Sequence, residues 1–115
     1  MKFRLVLAVA LLGSLMACSK SDTAPSNGSS VSIVVGASLL TSTAFAPSPV
    51  VIANGGTVTW TNNDNTTHTS VADGGSWNSG SIAPGGHFSQ TFHSTGVFIY
   101  HCSIHPGMVG TVTVQ

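Results

Sequence analysis

From Val31 to Gln115 the chain has no lysine and no arginine, and its only acidic residues there are Asp64 and Asp73. The three basic residues, Lys2, Arg4 and Lys20, all stand near the N-terminus, so the formal neutrality of the whole chain describes neither half of it. Phosphate binding needs a basic footprint, and a nucleic-acid role is therefore excluded. Glutamate is missing altogether. That leaves no carboxylate pair for acid–base catalysis, and the glycine pairs lack the Lys-Ser/Thr of a phosphate loop. Cysteine is almost absent too: Cys18 and Cys102 are the only two. Nor does any window hold a helical period of useful length.

What is present begins with Lys2 and Arg4, followed by an apolar run from Leu5 to Met16 that is broken by Gly13 and Ser14. These are the charged and apolar regions of a secretory signal. The run falls short of the about 20 apolar residues that a membrane-spanning helix needs. Leu15-Met16-Ala17-Cys18 resembles a bacterial lipobox. That resemblance implies cleavage before Cys18, a diacylglycerol on its thiol and an acylated new amine. Several acyl chains grip a membrane far better than one. The plainer alternative is an ordinary secretory signal in which Cys18 is incidental. The expectation is an exported protein, periplasmic or on the cell surface, anchored by lipidated Cys18. Cys102 then has no disulfide partner and must be free or a metal ligand.

The segment SKSDTAPSNGSS, Ser19 to Ser30, is polar and has nothing to bury. The expected organisation is a signal peptide over 1–17, a lipidated cysteine and flexible tether over 18–30, and one domain over 31–115. Gly/Ser-type scaling gives the tether a reach of roughly 20 Å. Within the domain, runs rich in Val, Ile, Thr and aromatics (VSIVVG, PVVIA, TVTWTN, HTSVA, HFSQTF, VFIYHC, VGTVTV) alternate with NGG, DGG, APGG and HSTG. Those breaks are turn chemistry. Val58 and Trp60 share one face, as do Phe88 and Phe92, and Phe98, Tyr100 and Cys102. Short strands at this spacing predict an all-β, antiparallel sandwich of roughly seven or eight strands.

Strand alternation also sorts the histidines. His101 neighbours Cys102 and points to the opposite face, so it is expected at the surface rather than on a shared metal. His87 and His93 are expected at the surface as well. Cys102, His105 and Met108 form C-x2-H-x2-M between two strands, a loop short enough to bring thiolate, imidazole and thioether together. A tight site needs one more ligand, and His68, after W-x-N-x-D and the loop NNDNTT, is the natural candidate. Two His, one Cys and a weak axial Met are the ligands of a blue-copper electron-transfer site. Soft sulfur favours Cu(I), imidazole serves both oxidation states, and a trigonal arrangement suits both. Zn(II) could use these donors, but Cu(II) outranks it at such a site, and structural zinc prefers Cys and His to Met. Singly each residue is unremarkable, since a buried Cys is usually an inert small hydrophobe. The signal lies in the combination.

At these residues the chain resembles a cupredoxin, a type 1 blue copper protein of the plastocyanin/amicyanin type. The likeness covers APSPVVIANGGTVTWTNND, HTSV, WNSGSIAPGGHFSQTF and STGVFIYHCSIHPGMVGTVTV, from about Phe45 to Val114. It implies a Greek-key β-sandwich and one type 1 copper per chain, held by His68, Cys102, His105 and Met108. The gap between His105 and Met108 is closer to amicyanin than to plastocyanin. Family members commonly carry Asn after the first histidine ligand, and its side chain ties the ligand loops together; here it is Thr69. The resemblance implies an electron carrier, not an enzyme, because a site with all its positions filled has no vacancy for substrate. Expected partners are a redox donor and a redox acceptor, with the membrane reached through the lipid anchor and the chain acting as a monomer. The alternative function is a copper-trafficking or buffering lipoprotein without a dedicated redox partner.

Overall fold

The structure, a computed structural model, describes residues 25–115. The leader, Cys18 and the first part of the expected tether lie outside the described residues. Seven strands follow in chain order: β1 (Ser26–Ile33), β2 (Phe45–Ala46), β3 (Val50–Asn62), β4 (Val71–Ala72), β5 (His87–Thr91), β6 (Gly96–His101) and β7 (Val109–Val114). The hydrogen-bonded order is β2-β1-β3-β7-β6-β4, with β5 also paired to β3. A single 3-10 turn, Ala37–Leu39, is the only helical element among the described residues.

The sandwich forms as expected, with two pairings that alternation along the chain could not reveal. β1 runs parallel to β3, as does β7, so the sheet is mixed rather than purely antiparallel. β3 is what joins the layers. Its first part, Val50 to Ile52, pairs with β7, whereas Thr57 to Thr61 pair with β5 and, on the other side, with β1. NGG, expected as a turn between two strands, is instead a kink inside this long one. Gly55 takes φ +88°, where an L side chain is strained, and Gly56 has no room for a Cβ against the Ala53 carbonyl. A glycine-rich kink lets one strand serve two sheets without ending.

β1 begins at Ser26, upstream of the boundary expected at Val31. Ser26 to Ser30 have no apolar side chains to bury, yet Gly28, Ser29 and Ser30 pair with Thr57, Val58 and Thr59. Their backbone groups, not their side chains, place them there. HTSVA is shorter as a strand than expected: only Val71–Ala72 are β4, and His68 makes an isolated bridge to Ile82.

The core follows the two-residue period. Val50, Ile52, Val58 and Trp60 of β3 face inward, as do Val112 and Val114 of β7 and Tyr100 of β6. Trp60 lies at the centre, edge-on to Tyr100 at 5.3 Å and tilted against Trp77 at 5.8 Å and Phe88 at 5.9 Å. Fully burying a large apolar side chain contributes about 1.5–3 kcal/mol. The Tyr100 phenol packs close against Gly110 of β7, where any Cβ would overlap it. That close packing carries β6 into the loop that begins at Cys102.

Candidate metal centre

Two segments converge at one end of the sandwich: the stretch after β3, Asn62 to Ser70, and the loop between β6 and β7. Asn62 organises the first. Its Nδ2 donates to the Thr66 carbonyl at 2.8 Å and to the Ile82 carbonyl at 2.9 Å, while its Oδ1 accepts from the Asp64 N–H at 3.0 Å. His68 is then fixed by backbone bonds in both directions with Ile82, at 3.1 and 2.7 Å. The second segment is pinned at its base. The Cys102 N–H donates to the Met108 carbonyl at 3.1 Å, and the Met108 N–H to the His105 carbonyl at 2.9 Å.

The result is a cluster of His68, Cys102 and His105 whose donor atoms all lie within 4.8 Å of one another. Cys102 Sγ is 3.7 Å from His68 Nδ1 and 3.9 Å from His105 Nδ1. Cys102, His68 and Met108 are fully buried, and His105 is half-buried. Each residue expected at the site is therefore at this end of the molecule. His101 is not part of it. Its imidazole is partly exposed and pairs with surface Asp73 at 2.6 Å.

Thr69 takes over the tie that Asn commonly provides. Its Oγ1 accepts from the Ser103 N–H at 2.7 Å and lies 2.8 Å from Ser103 Oγ. Its backbone N–H donates to Cys102 Sγ at 3.3 Å, and its hydroxyl also reaches the sulfur, at 3.8 Å. The loops are thus linked across 34 positions of sequence by a hydroxyl in place of an amide. Asp64 was not among the residues expected here. Its Oδ2 accepts from His68 Nε2–H at 2.8 Å, and its Oδ1 from the Gly36 N–H at 3.0 Å. The available signal was an acidic residue four positions before the histidine, in a domain holding only one other.

The electrostatics suit a thiolate. Burial pushes the Cys102 thiol up, but the backbone donors of Thr69 and His105 and the two imidazoles outweigh it and hold the group down at about 6. The hydrogen bond from His68, helped by the Gly36 N–H, lowers Asp64 to about 2. The carboxylate accepts at Nε2, which leaves Nδ1 as the nitrogen that faces Cys102 and would bind a metal there. One buried soft sulfur, one buried imidazole and one half-buried imidazole fit a soft first-row metal.

A β-sandwich with a Cys–His–His centre at one end defines the blue-copper class. The sequence model of the copper binding proteins, plastocyanin/azurin family, matches residues 31–115, and the chain belongs to that family. Plastocyanin of Scenedesmus fuscus is 39% identical over 84 residues, 62% of this chain and 86% of the relative. Among solved structures, a novel purple cupredoxin from Nitrosopumilus maritimus superposes with a TM-score of 0.70 at 34% identity, covering 76% of this chain and 99% of its own. A proline-to-glycine mutant of amicyanin in its reduced Cu(I) form superposes with a TM-score of 0.62 at 26% identity, over 75% and 80%. The cofactor is copper, and the His68–Cys102–His105 cluster is consistent with one type 1 ion.

Proposed function

We propose that this protein is a single-electron carrier whose copper would be held by His68, Cys102 and His105, with Met108 supplying a weaker fourth donor. The observation that carries this reading is the convergence of the three donors within 4.8 Å around a buried, acid-shifted thiol. Copper bound there supplies a Cu(II)/Cu(I) couple. The chain's own part is to keep the donors in place through a change of charge. The buried network behind His68 and the part-buried tie between Thr69 and Ser103 resist movement, so little reorganisation accompanies an electron. The half-buried His105 is the ligand nearest the exterior. Around that end Val35, Leu39, Ile104 and Val109 are exposed apolar side chains. Their loops are tied to the site: Gly36 donates to Asp64, and the Val109 N–H donates to the Thr41 carbonyl. This apolar rim suits transient docking of a redox donor and acceptor, with little dependence on salt because the domain holds so few charges.

The protein acts as a carrier rather than an enzyme, and as a monomer. It works outside the cytoplasmic membrane, periplasmic or on the cell surface, held by acyl chains on Cys18. The charged and apolar leader and the lipobox-like Leu15 to Cys18 support this placement. The test is to express Ser19 to Gln115 and add Cu(II). An intense visible sulfur-to-copper band is expected, abolished by Cys102→Ser and shifted by Met108→Gln. A colourless complex sinks the reading. Mass spectrometry of the protein recovered from membranes tests the anchor, which predicts an acylated Cys18 as the first residue.

A further inference from the structure

One of the domain's two carboxylates is buried directly behind a proposed copper ligand. The Asp64 side chain is 3% exposed and His68 is fully buried, so water does not screen their 2.8 Å contact. The carboxylate is held as an acceptor, with the Gly36 N–H on its other oxygen and its own backbone fixed by Asn62. No lysine or arginine exists from Val31 to Gln115 to offset its charge. The remaining acid, Asp73, is at the surface with His101.

We infer that Asp64 is a positioning and charge-tuning residue that fixes the tautomer of His68 and biases the copper site toward Cu(II). The inference rests on the reading of His68 and Cys102 as copper ligands. Its physical basis is charge balance. A dication with one thiolate and one nearby carboxylate sums to zero, whereas the reduced state leaves one net negative charge in a poorly solvated place. An uncompensated buried charge is unfavourable, so the reduced state is penalised. A carboxylate on the outer nitrogen also makes the inner nitrogen a stronger donor, which favours the more highly charged ion. His105 has no such carboxylate among the described residues, so the two imidazoles are unequal by construction.

The test compares Asp64→Asn with the wild-type full chain, both copper-loaded, by protein-film voltammetry and visible spectroscopy. Asparagine keeps one oxygen for Nε2–H and removes the charge, while the Gly36 N–H loses its acceptor. The Cu(II)/Cu(I) equilibrium is expected to move at least about tenfold toward Cu(I), about 59 mV upward for a one-electron couple, with the visible band retained. Asp64→Glu, which keeps the charge, should stay closer to wild type than the asparagine variant. Equal potentials in a coloured wild type and a coloured Asp64→Asn overturn the inference and leave the electron-carrier reading standing. A wild type that forms no coloured copper complex overturns both. Should Asp64→Asn fail to fold, NMR of the wild-type Cu(I) protein decides. A His68 Nε2 proton shifted downfield by its hydrogen bond to Asp64 is expected, and an Nε2 proton without that shift overturns the inference.

Discussion

Between Asn62 and Ser70 lie all five buried polar or charged residues among the described ones: Asn62, Asp64, His68, Thr69 and Ser70. Between Cys102 and Met108 only those two sulfur residues are buried, while Ser103, Ile104, Pro106 and Gly107 are exposed. Each segment contributes histidine to the same cluster, yet one is a satisfied polar interior and the other a short loop held at its base. Buried polar networks rigidify when every member has a partner. The Asn62 segment therefore acts as the mould, and the Cys102 loop as the part that meets the exterior. His68 is fully buried with Asp64 as the partner of its Nε2–H, whereas His105 is half-buried and has no carboxylate beside it among the described residues.

Four measurements test this contrast. The largest effect should come from the thiol of the metal-free protein. Cys102 is held at about 6, against 9.0 for an unperturbed thiol, so alkylation and thiolate absorbance should half-titrate near pH 6. The unfolded chain binds more protons than the folded one between these values. Stability of the metal-free protein should therefore be greatest above about pH 9 and decline as pH falls toward 6. A half-titration near 9 would show that the loops do not meet as described. Next, Asn62→Ala removes three side-chain hydrogen bonds, two of them buried, and should lower the unfolding free energy by about 3 kcal/mol, measured by urea denaturation. A loss under about 1 kcal/mol would mean the mould is not rigid.

Thr69→Val should cost about 1.5 kcal/mol, because the Ser103 N–H loses its acceptor while the backbone donor to sulfur remains. Thr69→Ser should restore most of it, which a purely steric role would not predict. The smallest effect belongs to the exposed loop. Ile104→Ala should change stability by less than about 0.5 kcal/mol, so any slowing of electron exchange by that variant reports docking rather than folding. A larger destabilisation would assign Ile104 to the scaffold.

Local signals carried much of this site into view. C-x2-H-x2-M sits in one short loop, and the period of two puts Phe98, Tyr100 and Cys102 on one face, the last two buried and Phe98 packed partly against the core, with His101 turned to Asp73 at the surface. The less legible features depend on partners far away in sequence. Asp64 looks like an ordinary loop acid until Gly36, 28 positions upstream, donates to it. Thr69 looks like a departure from the family pattern until Ser103 arrives across 34 positions. The kink at Asn54-Gly55-Gly56 has the composition of a turn, and only its neighbours on either side, β7 before it and β5 after it, keep β3 a single strand. Ser26 to Ser30 carry no hydrophobic pattern at all, since their pairing is a backbone property.

The parallel run of β1 beside β3 also sets a direction. Ser26 stands opposite Ile52 and Ile33 opposite Asn62, so the chain enters at the end of β3 far from the metal centre and travels toward it. Val114 also stands opposite Ile52, which returns the C-terminus to that same far end. From Ser26 to Ile33, which span the same two ends, is roughly 23 Å of strand. Any handle attached before Ser26 or after Gln115, whether a natural mooring, an electrode linker or a fused domain, would hold the molecule by its heel and leave the copper-bearing tip pointing outward.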